Sequence, residues 1–201
     1  TNMEYFSKLN LLNDSKKKHF DLQEKVISKA DLTLTVSDSW SKDFSRLGAK
    51  KTAVVFNGFE NSNSIIKSHD KFRIGHFGLF NELRDHAEIW KALNVTLSRN
   101  KNLKEDLEIY FSGPTHKKFR KNLKTHHLDS YLNYSEWNNL EKMKKEMLKC
   151  SVLIVSQSNT QDAMGRLPAK FFEYLGTGIP IVAIGRKNSD LSKMILKYQC
   201  G

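Results

Sequence analysis

Along the chain, short apolar runs alternate with longer stretches in which apolar residues recur every three or four positions. The runs predict buried strands and the longer period predicts helices. From residue 72 onward the alternation is regular. Strands are predicted at Phe72–Phe77, Leu107–Phe111, Tyr131–Tyr134, Val152–Val155 and Ile181–Ile184. Helices are predicted from about Arg84 to Leu97, after Ser112-Gly113-Pro114, from Trp137 to about Leu148, from Pro168 up to Gly178, and from Ser189. Strand–helix alternation of this kind predicts an α/β fold, a parallel sheet flanked by helices. Ligands bind such sheets beyond the carboxyl ends of the strands. Three loops leave those ends, 78–84, 112–116 and 156–167. The last is polar and long for its kind, which marks it as functional or disordered.

The first part of the chain has a different texture. Residues 1–30 are polar with scattered apolar positions (Tyr5, Leu9, Leu12, Phe20, Val26, Ile27) and predict one or two helices. LTLTVS at 32–37 alternates as a strand does, Ser37 or Asp38 can cap a helix running to about Leu47, and Thr52–Phe56 is the next strand. Asn57-Gly58 is a turn signal, and residues 59–70 read as a linker. The expected division is 1–58, a linker at 59–70, and an α/β domain at 71–201. The opening residues look like the middle of a domain.

Composition narrows the function classes. With 39% hydrophobic residues the chain can bury a core. Apolar runs of membrane-spanning length and a signal-peptide pattern are both missing, so a cytoplasmic location is expected. Cys150 and Cys200 are too few for a disulfide framework or a zinc site. The formal net charge of +11, with lysines grouped at 16–18, 117–121 and 142–145, favours anionic partners: nucleic acid, anionic lipid or phosphorylated small molecules. A solvated lysine-rich surface explains the charge equally well. Without zinc-finger spacing or an aromatic RNA-binding signature, the nucleic-acid reading loses ground.

The candidate chemistry concentrates at GRLPAKFFEYLGTGIPIVAIG, residues 165–185. Pro168 suits the first helical position, and Leu167, where a capping side chain is expected, cannot cap. Helical spacing puts Phe171, Phe172 and Leu175 on one face and Lys170, Glu173 and Tyr174 on the other. Uncapped amides, a cation at Lys170 and a hydroxyl acceptor at Glu173 would suit a phosphate-bearing ligand. An ordinary amphipathic helix with a solvated charged face fits the same pattern.

Several segments together resemble a known family. ADLTLTVSDSW and VVFNGFE, IGHFGLFNELRDHAEIWKAL, LEIYFSG and LPAKFFEYLGTGIPIVA occur in the order and spacing of bacterial group 1 GT-B glycosyltransferases, over about residues 28–185. The resemblance implies a Rossmann-like C-terminal, donor-binding domain preceded by a remnant of the N-terminal acceptor domain. It implies a UDP- or GDP-linked sugar donor and transfer with retention to a glycan or lipid-linked acceptor in polysaccharide assembly; no metal or other cofactor is expected, since Arg84, Lys170 and helix amides can take the charge and the sequence has no Asp-x-Asp motif. An acceptor held by a separate domain, and peripheral contact with the inner face of a membrane, belong to the same expectation.

By that resemblance Gly78 lets the backbone approach the diphosphate, Arg84 and Lys170 neutralise it, and Glu173 holds the ribose hydroxyls. Leu167 stands at the start of the donor-binding helix, and residues 135–140 lie where the base is contacted. Cations placed there stabilise a leaving diphosphate as it gains charge. In one place the chain departs from the pattern: Gly165 stands where the family has the first of its paired glutamates. No catalytic residue is assigned. His76, His126 and His127 read as surface or core-edge groups and Trp137 as a packing residue. Two alternatives remain, a non-catalytic basic α/β module that binds a polyanion, and a GT-B-like nucleotide-sugar epimerase. A complete GT-B enzyme needs two such domains, so this stretch alone is expected to bind donor without transferring sugar.

Overall fold

A computed structural model describes residues 9–59, 70–136 and 139–201. Tyr5, Trp137 and all but the ends of the 59–70 linker lie outside the described residues. Among the described residues, seven strands and eight α-helices follow in order: α1 Asn13–Lys29, β1 Thr33–Thr35, α2 Asp38–Arg46, β2 Thr52–Val54, β3 Phe72–Phe77, α3 Ala87–Arg99, α4 Lys101–Asp106, β4 Leu107–Ser112, α5 Phe119–Thr125, β5 Leu132–Ser135, α6 Leu140–Met147, β6 Val152–Ser156, α7 Ala169–Leu175, β7 Ile181–Ile184 and α8 Asp190–Tyr198. Short 3-10 turns at Glu82–Arg84, Asp129–Tyr131 and Gln161–Gly165 complete them.

The expected α/β architecture is present. A five-stranded sheet runs in the order β5-β4-β3-β6-β7, every neighbouring pair parallel. Successive strands therefore step outward from β3 in one direction and from β6 in the other. The crevice between these two strands, at their carboxyl ends, is the topological switch point. Two apolar clusters cover the two faces. Ile109, Phe111, Trp90, Phe119 and Leu123 pack on one side, and Leu153, Val155, Phe171, Tyr174 and Leu191 on the other. Along β4 the side chains alternate between them, Ile109 and Phe111 to the first and Tyr110 to the second. Each fully buried large side chain contributes about 1.5–3 kcal/mol.

Several local expectations change. The helix expected from about Arg84 is a 3-10 turn ending at Arg84, followed by α3 from Ala87. Asp85 breaks it: its side chain turns inward to meet Trp90, His116 and Asn122. Pro168 stands one place earlier than expected, at the N-cap of α7, with no side-chain cap. Tyr174, expected outside, is fully buried and accepts a hydrogen bond from the Phe77 N–H at 2.9 Å. Asn100 caps an unforeseen helix, α4, by accepting from the Leu103 N–H.

β1 and β2 form a separate parallel pair with α2 between them. Two strands make a weak unit alone, and this one is tied through α2 to α8 and to the loop before α7. The Ser39 N–H and Oγ donate to the Asp190 carboxylate, both at 2.8 Å, joining the first turns of α2 and α8. Burial opposes ionisation of Asp190, but these bonds and Lys193 hold its pKa below the usual carboxylate value.

Candidate functional site

Two glycines build the floor of the crevice. Gly78 follows β3 with φ 97°, a conformation that favours glycine. Its N–H donates to the Ser112 carbonyl at 2.7 Å. Gly113 (φ 114°) is packed so closely that a Cβ on it would lie 3.0 Å from the Gly78 backbone. Beyond them the Phe80 N–H donates to the Pro114 carbonyl and the His116 N–H to the Phe80 carbonyl. The loops after β3 and β4 are thus tied together.

That tie fixes Arg84. Its N–H donates to the Asn81 carbonyl at 3.0 Å, and its own carbonyl accepts from Ser156 Oγ at 2.5 Å. One guanidinium nitrogen donates to the Leu79 carbonyl at 3.2 Å. The adjoining Asp85 carboxylate, 1% exposed, accepts from Trp90 Nε1 at 2.6 Å, His116 Nε2 at 2.7 Å and Asn122 Nδ2 at 2.7 Å. A buried carboxylate with three donors is a satisfied structural anchor, and it sets the chain direction beside Arg84.

Lys170 enters from α7 on the other side. Its Nζ is 3.2 Å from His76 Nε2, and a Cβ on Gly78 would lie 3.4 Å from that same Nζ. Burial, then the nearby Arg84 charge, push the amine down to about 7 against the opposing pull of Glu173. Glu173 lies nearly one turn along α7 from Lys170, and the Arg84 carbonyl is tied to Ser156 at the end of β6. Glu173 is exposed. Gly78, Arg84, Lys170 and Glu173 thus come together at the switch point.

Leu167 differs. Its side chain is 4% exposed and belongs to the apolar cluster under α7, so only its main chain is available to a ligand. Gly165, in place of a glutamate, is buried against Trp40 of α2. A Cβ there would overlap the indole, coming within 2.7 Å of Nε1. Of residues 135–140, Trp137 and Asn138 lie outside the described residues.

Two contributors were missed in the sequence. His76, read as a surface or core-edge group, is completely buried beneath Lys170, stacked on Phe111 and edge-on to Phe80. Its place near the end of a buried strand, just before Gly78, was the available signal. Gln157, which follows β6, is also buried; its Nε2 donates to the Arg166 carbonyl at 2.6 Å, and its Oε1 has no hydrogen-bond partner among the described residues.

Chemically, two cations beside a bare glycine turn can receive an anion, and an exposed carboxylate one turn along α7 can accept hydroxyls. No family model matches the sequence, and no curated protein matches it. Solved structures do match. Anabaena HepE in complex with UDP and glucose aligns with TM-score 0.63 at 13% identity, over 90% of this chain and 57% of that one. A TarM mutant from S. aureus, solved with UDP among its ligands, aligns with TM-score 0.61 at 11% identity, over 87% of this chain and 34% of that one. WaaG, a glycosyltransferase involved in lipopolysaccharide biosynthesis, aligns with TM-score 0.60 at 13% identity, over 84% and 47%. The chain has the α/β Rossmann-like fold of GT-B glycosyltransferases, over a stretch resembling their C-terminal domain. It spans roughly a third to somewhat over half the length of these three neighbours.

Proposed function

We propose that this chain is the donor-binding part of a glycosyltransferase that moves a sugar from a nucleotide-sugar to a glycan or lipid-linked acceptor. Arg84 and Lys170 take the diphosphate, Gly78 lets it approach the backbone, and Glu173 accepts from the ribose hydroxyls. The observation that carries this reading is the convergence of two pairs far apart in sequence, Gly78 with Arg84 and Lys170 with Glu173, at the switch point of a parallel sheet. A diphosphate leaving group gains charge as the sugar departs, and fixed cations stabilise it. UDP in the HepE and TarM structures supports a nucleotide ligand here. Retention of configuration, an acceptor on another domain and work at a membrane face complete the proposal.

Calorimetric titration with UDP and GDP tests it. One nucleotide should bind, and Arg84→Ala or Glu173→Ala should weaken it about tenfold or more, the loss of one charged hydrogen bond. Unchanged affinity in both variants would overturn the site. The net charge of +11 keeps a second reading alive, a module that binds nucleic acid or another polyanion. Its mark would be binding of duplex DNA that neither substitution affects.

A further inference from the structure

The contact between Lys170 and His76 has a direction. His76 Nδ1 lies 3.1 Å from the Ile154 carbonyl, which can only accept, so Nδ1 carries the proton. The imidazole is fully buried, and burial, reinforced by the Lys170 charge, pushes its proton affinity well below the ordinary value. The Leu79 carbonyl also acts on the ring, but it accepts from the Arg84 guanidinium, so a neutral ring with its proton on Nδ1 leaves a lone pair on Nε2. That lone pair faces Lys170 Nζ at 3.2 Å. Phe111 and Phe80 wedge the ring in place from two sides. The remaining charged groups acting on the amine are Arg84, from the loop after β3, and Glu173, on α7 itself.

We propose that His76 is a positioning residue of the anion site: its Nε2 lone pair holds the Lys170 amine beside Gly78, and an arriving diphosphate draws a proton onto that amine. The proton comes from solvent and ends on Nζ, and no other bond changes. Held against His76, the amine is partly buried and feels the Arg84 charge, so it is largely neutral above about pH 7. Two phosphates supply the negative charge that favours the ammonium. Ligand affinity should therefore be fully expressed below the empty-site value and fall as pH rises above it.

The inference rests on the nucleotide reading, so its test has one arm without ligand. In the free protein, the 13Cε resonance of Lys170 should titrate near 7. With UDP at about pH 8, calorimetry in two buffers of different ionisation heat should count nearly one proton taken up, and UDP affinity should fall about five- to tenfold from about pH 7.5 to 8.5. His76→Phe removes the acceptor. The amine should then move to solvent, titrate near the ordinary lysine value, and lose both the proton uptake and the pH dependence. His76→Gln, which offers an acceptor oxygen, should restore them in part. Titration of Lys170 near its ordinary value in the unsubstituted protein overturns the pairing, whatever becomes of the variants. UDP binding without proton uptake overturns the coupling alone. No UDP binding, with Lys170 still titrating near 7, overturns the nucleotide reading and the coupling with it.

Discussion

At the scale of single residues, Lys170 is a costly feature of the crevice. An amine that leaves water beside an arginine loses hydration and gains repulsion, and one histidine lone pair offsets only part of this. The cost shows in stability. Between about 7 and the ordinary value of 10.5 the unfolded chain binds a proton that the folded chain does not, so stability rises with pH across that window. Lys170→Met should therefore be more stable than the unsubstituted protein near pH 7, by no more than about 5 kcal/mol. The difference should shrink as pH approaches 10.5. Chemical denaturation at three pH values checks it, and a variant less stable at pH 7 would contradict it. The same variant should lose UDP affinity, the sign that the residue serves binding. The spacing of Lys170 and Glu173 on a helix was legible in sequence, because three residues make nearly one turn. The burial of His76 was not, since alternation along FRIGHF assigns a face and does not say what covers it.

At the scale of elements, the contact between α2 and the loop before α7 fills the space a side chain at residue 165 would need. Trp40 lies against the bare backbone of Gly165, while Asp190 holds the first turn of α2 through Ser39. Gly165→Ala should push the indole away and cost roughly 1–3 kcal/mol, the usual penalty for overpacking. In Trp40→Ala the same substitution should be nearly neutral, so a double-mutant cycle should return a coupling of about that size. Thermal unfolding with tryptophan fluorescence measures it; additive effects would show that the two residues do not meet. The glycine at 165 was plain in the sequence, as was its departure from the resembling pattern. Its reason was not, because Trp40 lies more than a hundred residues earlier and only the packed chain puts it there. The early end of the 3-10 turn at Arg84 has a similar cause: Asp85 looks like a helix residue until His116 and Asn122, on later elements, draw it inward.

At the scale of the whole molecule, charge and topology make separate predictions. A net charge of +11 attracts any polyanion, but that attraction is screened over about 10 Å at 0.1 M salt. UDP held by Arg84 and Lys170 in a crevice should lose less than about tenfold in affinity from about 50 to 200 mM salt. DNA held by scattered surface lysines should lose about a hundredfold or more. The reverse order would favour the polyanion reading. No helix among the described residues is long and apolar enough to cross a membrane.

The alternation of strands and helices apart from α4, the parallel sheet and the three loops at its carboxyl edge followed from the sequence, because hydrophobic period and turn residues are local properties of the chain. So did the candidates Gly78, Arg84, Lys170 and Glu173. Their meeting beside one glycine turn, the withdrawal of Leu167 and Tyr174 into the core, the filling of the Gly165 position by Trp40 and the histidine under Lys170 were decided only by the tertiary structure. Each depends on contacts between residues far apart in the chain, and a local pattern carries no information about which distant side chain arrives.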